Sequence, residues 1–121
     1  MKALVLIAHG SRRETSNTEF STMVSLLGLE LNDTFAHVEA SFLEFCEPSV
    51  ETSLEAMIDK GIKDIIIYPF FLNSGKHVSD DIPMKVQRIR EMYPDVSLRL
   101  LPHFGSSGHI ISTITSDLKE L

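Results

Sequence analysis

The feature that most constrains the fold is an end-to-end alternation of short strand-like runs with segments that are apolar at helical spacing. Such alternation specifies an α/β domain with a parallel sheet, because each crossover helix returns the chain to start the next strand in the same direction. The first strand is Ala3 to Ala8, a continuous apolar run. Phe20, Met23, Val24, Leu27 and Leu31 follow on one helical face. Ser16 and Glu19 form a capping-box pair ahead of them, with Ser11 and Glu14 as a second such pair. The later start is preferred, which leaves Gly10 to Thr15 as a loop.

The second strand, about Phe35 to Leu43, alternates between two faces. Phe35, His37, Glu39 and Ser41 lie on one, and Ala36, Val38, Ala40 and Phe42 on the other. Pro48 suits the first turn of the next helix, whose stripe is Val50, Leu54, Met57 and Ile58, with Gly61 as its C-terminal cap. The third strand spans Asp64 to Phe71. A helix is predicted around Pro83, with Ile82, Val86 and Ile89 inward, ending by Pro94. Val96 to Leu101 is the fourth strand, and Ile110, Ile111, Ile114 and Leu118 mark the last helix. Strands one and three are continuously apolar, as strands covered on both faces are; strands two and four alternate, as edges do. Right-handed crossovers then give the order 2-1-3-4 in a three-layer, flavodoxin-like sheet. The expected ligand crevice lies where the winding reverses, at the C-terminal ends of strands one and three.

Nothing resembles a linker or a repeat, so residues 1–121 are read as one domain. The net charge of −6, from 11 basic and 17 acidic residues, argues against a nucleic-acid partner. The single cysteine excludes an internal disulfide and thiolate-rich zinc sites. No apolar run approaches the roughly 20 residues of a membrane span, and the opening segment lacks the longer apolar stretch of a signal peptide. The protein is therefore expected to be cytoplasmic, with no membrane partner.

The loops leaving strands one and three carry the chemistry. His9-Gly10-Ser11-Arg12-Arg13 follows the first, and Asn73-Ser74-Gly75-Lys76-His77 the third. The two histidines converge on the crevice, and Glu44 ends strand two beside them. Two imidazoles and a carboxylate are a borderline ligand set, suited to cobalt, nickel, iron or zinc. Gly- and Ser-bearing loops entering helices offer N–H donors to anions, and Arg12, Arg13 and Lys76 add positive charge. Ser11, Arg12, Arg13, Ser74, Gly75 and Lys76 are thus candidate anion-binding residues. The plainer readings are a packed or solvated histidine, a surface Arg pair, and a Glu44 that satisfies a backbone N–H. Cys46 reads as a small apolar filler and Glu47 as a first-turn acid. Histidine phosphatases, a rival class, carry Arg-His-Gly after their first strand; here Ala8 precedes His9. A non-catalytic metal carrier would need the same ligands without turnover.

His9-Gly10-Ser11-Arg12, Phe42-Leu43-Glu44 with Pro48, and Gly75-Lys76-His77-Val78-Ser79-Asp80-Asp81-Ile82-Pro83 resemble the marks of the CbiX/SirB-type class II chelatases. The last motif is the most specific. The length resembles the small, single-domain form, about half of a two-domain chelatase. The resemblance implies a lyase that inserts a divalent metal into sirohydrochlorin, with cobalt leading to cobalamin. No organic cofactor is implied; the metal is a substrate. His9 and His77 would handle the metal, and Glu44 would be the acidic catalytic partner. The resemblance also implies a homodimer. The helix after Ser106 and the residues Phe70, Phe71 and Phe104 are the expected contact surface, with Phe70 or Phe71 equally placed to serve the core. The region from Pro102 onward matches less distinctly, so no role passes to His103 or His109.

Overall fold

A computed structural model describes residues 1–121. Its elements are β1 (Lys2–Ala8), α1 (Glu14–Glu30), β2 (His37–Phe42), α2 (Val50–Asp59), β3 (Asp64–Pro69), a π-helical turn (His77–Asp81), α3 (Ile82–Met92), β4 (Ser97–Leu100), a 3-10 turn (Phe104–Ser106) and α4 (His109–Leu118). All strand pairs are parallel, in the order β2-β1-β3-β4, as the strand patterning predicts. β1 sits centrally, with Ala3 to Ala8 paired to His37 to Phe42 and Lys2 to Ile7 paired to Asp64 to Pro69.

Alternate residues of the central strands feed two cores. Ala3, Val5, Ile7, Ile65 and Ile67 pack against Val50, Leu54 and Met57 of α2 and Val86 and Ile89 of α3. Leu4, Leu6 and Ile66 meet Phe20 and Val24 of α1 and Phe42 on the other face. This two-sided cover is why β1 and β3 are continuously apolar. Two hydrogen bonds tie α2 to the segment of α3. Lys85 Nζ donates to Glu51 Oε2 at 3.0 Å, and Tyr93 Oη donates to Glu55 Oε2 at 3.1 Å. Partial burial pushes the Glu51 carboxyl up. The Lys85 hydrogen bond, a backbone hydrogen bond and the charges of Lys85 and Arg88 together outweigh it and hold the carboxyl below its ordinary value. The bond to Glu55, aided by desolvation and the nearby acids, raises the Tyr93 phenol. No helix is long and apolar enough to cross a membrane.

Several boundaries differ from the sequence expectation. α1 begins at Glu14, so neither capping box is used; Arg13 is the N-cap residue, and Ser16 N–H already bonds to Arg13 O at 3.1 Å. The burial of Asn17 favours this earlier start, because its amide clamps the preceding loop. Pro48 lies outside α2, whose cap is Ser49; the Ser49 hydroxyl accepts from Thr52 N–H at 3.1 Å, a bond proline cannot replace. Gly61 follows the C-cap Lys60 as expected, and Ile62 N–H returns to Met57 O. β3 stops at Pro69, since Phe71 N–H turns back onto Pro69 O at 3.1 Å. The largest difference is that helical structure starts at His77, well before Pro83. Ile82 N–H reaches the His77 carbonyl five residues back, and the wide turn sits just ahead of Pro83, which has no N–H to continue an i−4 ladder.

Candidate metal-handling site

β1 delivers His9 to the C-terminal edge of the sheet, and the next residue determines how closely the neighbouring strand exit can approach. Gly10 has φ +91°, and a Cβ there would fall 1.9 Å from the Glu44 carbonyl oxygen. Only glycine fits that conformation and that contact. Glu44 N–H donates to His9 O at 2.9 Å, so the two strand exits are stitched together at the backbone. Their side chains also meet: His9 Nε2 lies 2.9 Å from Glu44 Oε2.

His77 arrives from the π turn after β3. Its ring centroid is 4.7 Å from that of His9, with the planes tilted by 38°. Asp81, one turn on, lies with Oδ2 2.7 Å from His77 Nδ1. His9, Glu44 and His77 are therefore brought together as the sequence predicts, and all three keep at least 40% of their side-chain surface exposed. Each imidazole has a carboxylate on one nitrogen. With Glu44 accepting from His9 Nε2–H and Asp81 from His77 Nδ1–H, the lone pairs lie on His9 Nδ1 and His77 Nε2. Holding one ion jointly would require both lone pairs to aim at a point about 2.0–2.1 Å from each nitrogen. No three His, Cys, Asp or Glu side chains form a ready metal cluster. The set is an open pair of borderline donors flanked by two acids.

The candidate anion-binding residues divide. Arg12 is exposed, with its guanidinium 5.1 Å from the Phe45 ring centroid. Arg13 is exposed and donates from Nε to Thr15 Oγ1 at 2.9 Å. Ser74, Gly75 and Lys76 form an exposed segment before the π turn. Ser11 does not offer the donor expected of it. Its N–H donates to Asn17 Oδ1 at 2.9 Å, its carbonyl accepts from Asn17 Nδ2 at 2.8 Å, and its hydroxyl accepts from Arg13 N–H at 3.0 Å. Ser11 shapes the loop that carries His9.

Asn17 and Asp81 were missed from sequence. Asp81 had one available signal, its i+4 spacing from His77 within a helical turn. Glu47 accepts from Ser49 N–H at 3.0 Å, a local contact outside the site. His103 precedes the 3-10 turn, and His109 opens α4. Phe70 and Phe71 are half-buried and pack toward the cores, the second of the two places the sequence allowed them. Phe70 packs 5.6 Å from Phe20 and 5.1 Å from Phe104, and Phe71 packs on the α2–α3 core. Gly105 lets the β4 exit lie against the β3 exit, since a Cβ there would sit 1.6 Å from Leu72 O. α4 by contrast buries no residue.

The fold and site define a class: a small parallel α/β domain with an imidazole pair at its topological switch point. Comparison with known proteins narrows it. The CbiX family matches residues 3–121, and the chain belongs to that family. It is 27% identical over 120 residues to a sirohydrochlorin ferrochelatase of Bacillus subtilis, covering 99% of this chain and 45% of that protein. It is 36% identical over 83 residues to a sirohydrochlorin cobaltochelatase of Methanopyrus kandleri, covering 69% of this chain and 57% of that one. The structure of the sirohydrochlorin chelatase SirB from Bacillus subtilis subspecies spizizenii in complex with cobalt superposes with a TM-score of 0.84 at 26% identity, over 99% of this chain and 50% of that one. The chain spans about half the length of the curated relatives it matches.

Proposed function

We propose that this chain is a sirohydrochlorin metal chelatase, inserting a divalent ion with release of two pyrrolic protons. The observation that carries the reading is the His9–His77 pair, rings 4.7 Å apart, with Glu44 on His9 at the mouth of the sheet. His9 and His77 hold the incoming ion and strip part of its water. Asp81 fixes the His77 ring. Glu44, exposed and 2.9 Å from His9, takes up pyrrolic protons and returns them to solvent. Arg12, Arg13 and Lys76 draw in the substrate's carboxylates. The metal is a substrate here, used as a positioned ion rather than a resident cofactor.

The metal we propose is cobalt, which places the reaction in cobalamin synthesis in the cytoplasm. The cobaltochelatase relative and the cobalt-bound SirB structure support it. Iron is the second reading, supported by the ferrochelatase that matches 99% of the chain. The working unit is proposed to be a homodimer in which a second copy closes the open site. α4 leaves Ile111, Ile114 and Leu118 exposed, and Leu72 beside it is 67% exposed. A groove of about 270 Å³ between Leu72, Phe104, Ile110 and Ile114 would take the partner's apolar side chains.

The test is to follow the spectrum of sirohydrochlorin mixed with the protein and cobalt, iron or nickel in turn. Metallation beyond one equivalent per chain, fastest with cobalt, is expected. Stoichiometric binding without turnover would make the chain a carrier, and faster iron insertion would replace cobalt by iron.

A further inference from the structure

We infer that Phe45 and Arg12 form the wall that receives the flat face and one acid group of the tetrapyrrole. The inference rests on the chelatase reading and assigns the macrocycle, as opposed to the metal, a place in the site. Phe45 follows Glu44 directly, yet it is not packed away. It is 55% exposed, where the other aromatics around β2 and β3 serve the cores. Its backbone has φ +67°, the one non-glycine residue with positive φ. A bulky residue in that region costs conformational energy that a surface loop could avoid by using Gly or Asn. The strained conformation projects an apolar ring into water at the rim of the site. Water gives no return for that exposure, whereas a planar conjugated ligand would.

The neighbours define the ligand. The His9 ring lies 6.2 Å from Phe45 at 60°, an edge contact that fixes the wall relative to the metal-handling nitrogen atoms. The Arg12 guanidinium lies 5.1 Å from the ring centroid on the same rim. No acidic side chain is paired with Arg12, so its donors remain open to a carboxylate. An apolar ring beside an open guanidinium suits a flat molecule edged with carboxylates. Seated there, the macrocycle's edge lies within one side chain of His9 and Glu44, where its central nitrogen atoms must meet the ion.

The experiment titrates metal-free sirohydrochlorin into wild type, Phe45→Ala, Phe45→Trp, Phe45→Gly and Arg12→Ala, reading fluorescence, with a parallel measurement of KM for Co²⁺. Phe45→Ala is expected to weaken tetrapyrrole binding about tenfold, the scale of one aromatic stacking contact. KM for the metal should stay within about twofold, since Phe45 supplies no ligand. Phe45→Trp should restore binding. Phe45→Gly should bind as weakly as Phe45→Ala while unfolding at an equal or higher temperature than wild type, because glycine relieves the positive φ. That variant separates loss of the ring from loss of the fold. Tetrapyrrole affinity unchanged in both Phe45→Ala and Phe45→Gly would overturn the wall and leave the chelatase reading in place. Failure of the wild type to bind sirohydrochlorin would overturn both.

Discussion

Replacing Gly10 with Ala tests how the site is assembled. The position has φ +91°, where an L-residue pays roughly 1–2 kcal/mol relative to glycine. The new methyl would also lie 1.9 Å from the Glu44 carbonyl oxygen, which is backbone and cannot swing aside. Relieving such an overpacked contact by moving the chain costs roughly 1–3 kcal/mol. The two together come to roughly 2–5 kcal/mol, a large part of the stability of a domain this size. With an unfolding entropy of about 0.25 kcal/mol per kelvin for such a chain, the midpoint should fall by about 8–20 °C. The shift needed to admit the methyl separates His9 from Glu44, so metallation at a temperature where the variant is folded should drop by about a hundredfold. Gly28→Ala in α1 is the control, because a Cβ there makes only an ordinary 3.5 Å contact with Val38 and the backbone needs no positive φ. Circular dichroism melting and the spectral metallation assay read both. A Gly10→Ala protein that melts within about 2 °C of wild type and turns over normally would refute the stitched-loop account.

Asp81→Asn should retain the fold and the His77 hydrogen bond but weaken the hold on the ring, lowering kcat by about tenfold with a smaller change in tetrapyrrole KM, and Asp81→Ala should lose more; full activity in Asp81→Ala would remove its positioning role. Glu51 has a depressed folded-state value, so its contribution is present above the ordinary carboxyl range and is lost as pH falls through the lowered value. Denaturant melts of wild type and Glu51→Gln should therefore differ by about 0.2–1 kcal/mol at neutral pH and converge in strong acid, the modest size reflecting a pair that is partly exposed. Substituting Ile114 or Leu118 with Lys should shift light scattering from dimer to monomer at assay concentration and reduce turnover together with it; an active monomeric wild type would end the shared-site proposal.

Much of the fold is written in local pattern. The unbroken apolar runs of β1 and β3 suit central strands, and with right-handed crossovers they point to the observed sheet order and its switch point. His9, Glu44 and His77 were legible because they are polar residues in the segments leaving β1, β2 and β3 at the same edge of the sheet. The residues that arrange them were not. Asp81 became visible only once the chain turned helical at His77, and Pro83, a usual helix-start signal, pulled the expected boundary too late. Asn17 lies on the buried face of α1 and clamps Ser11 through two hydrogen bonds, a contact that depends on where the helix starts. Phe45 reads in sequence as one more apolar residue after a strand; its exposure follows from a backbone angle that no periodicity reports.

The most direct measurement is the initial rate of cobalt insertion into sirohydrochlorin by wild type, His9→Ala and His77→Ala under one set of conditions, with each protein shown folded by circular dichroism. Wild type should metallate many equivalents faster than the metal alone. Each single variant should fall at least about a hundredfold, since both rings are proposed to hold the same ion and their effects act as a unit. Near-wild-type rates in both variants would contradict the claim that the His9–His77 pair delivers the metal.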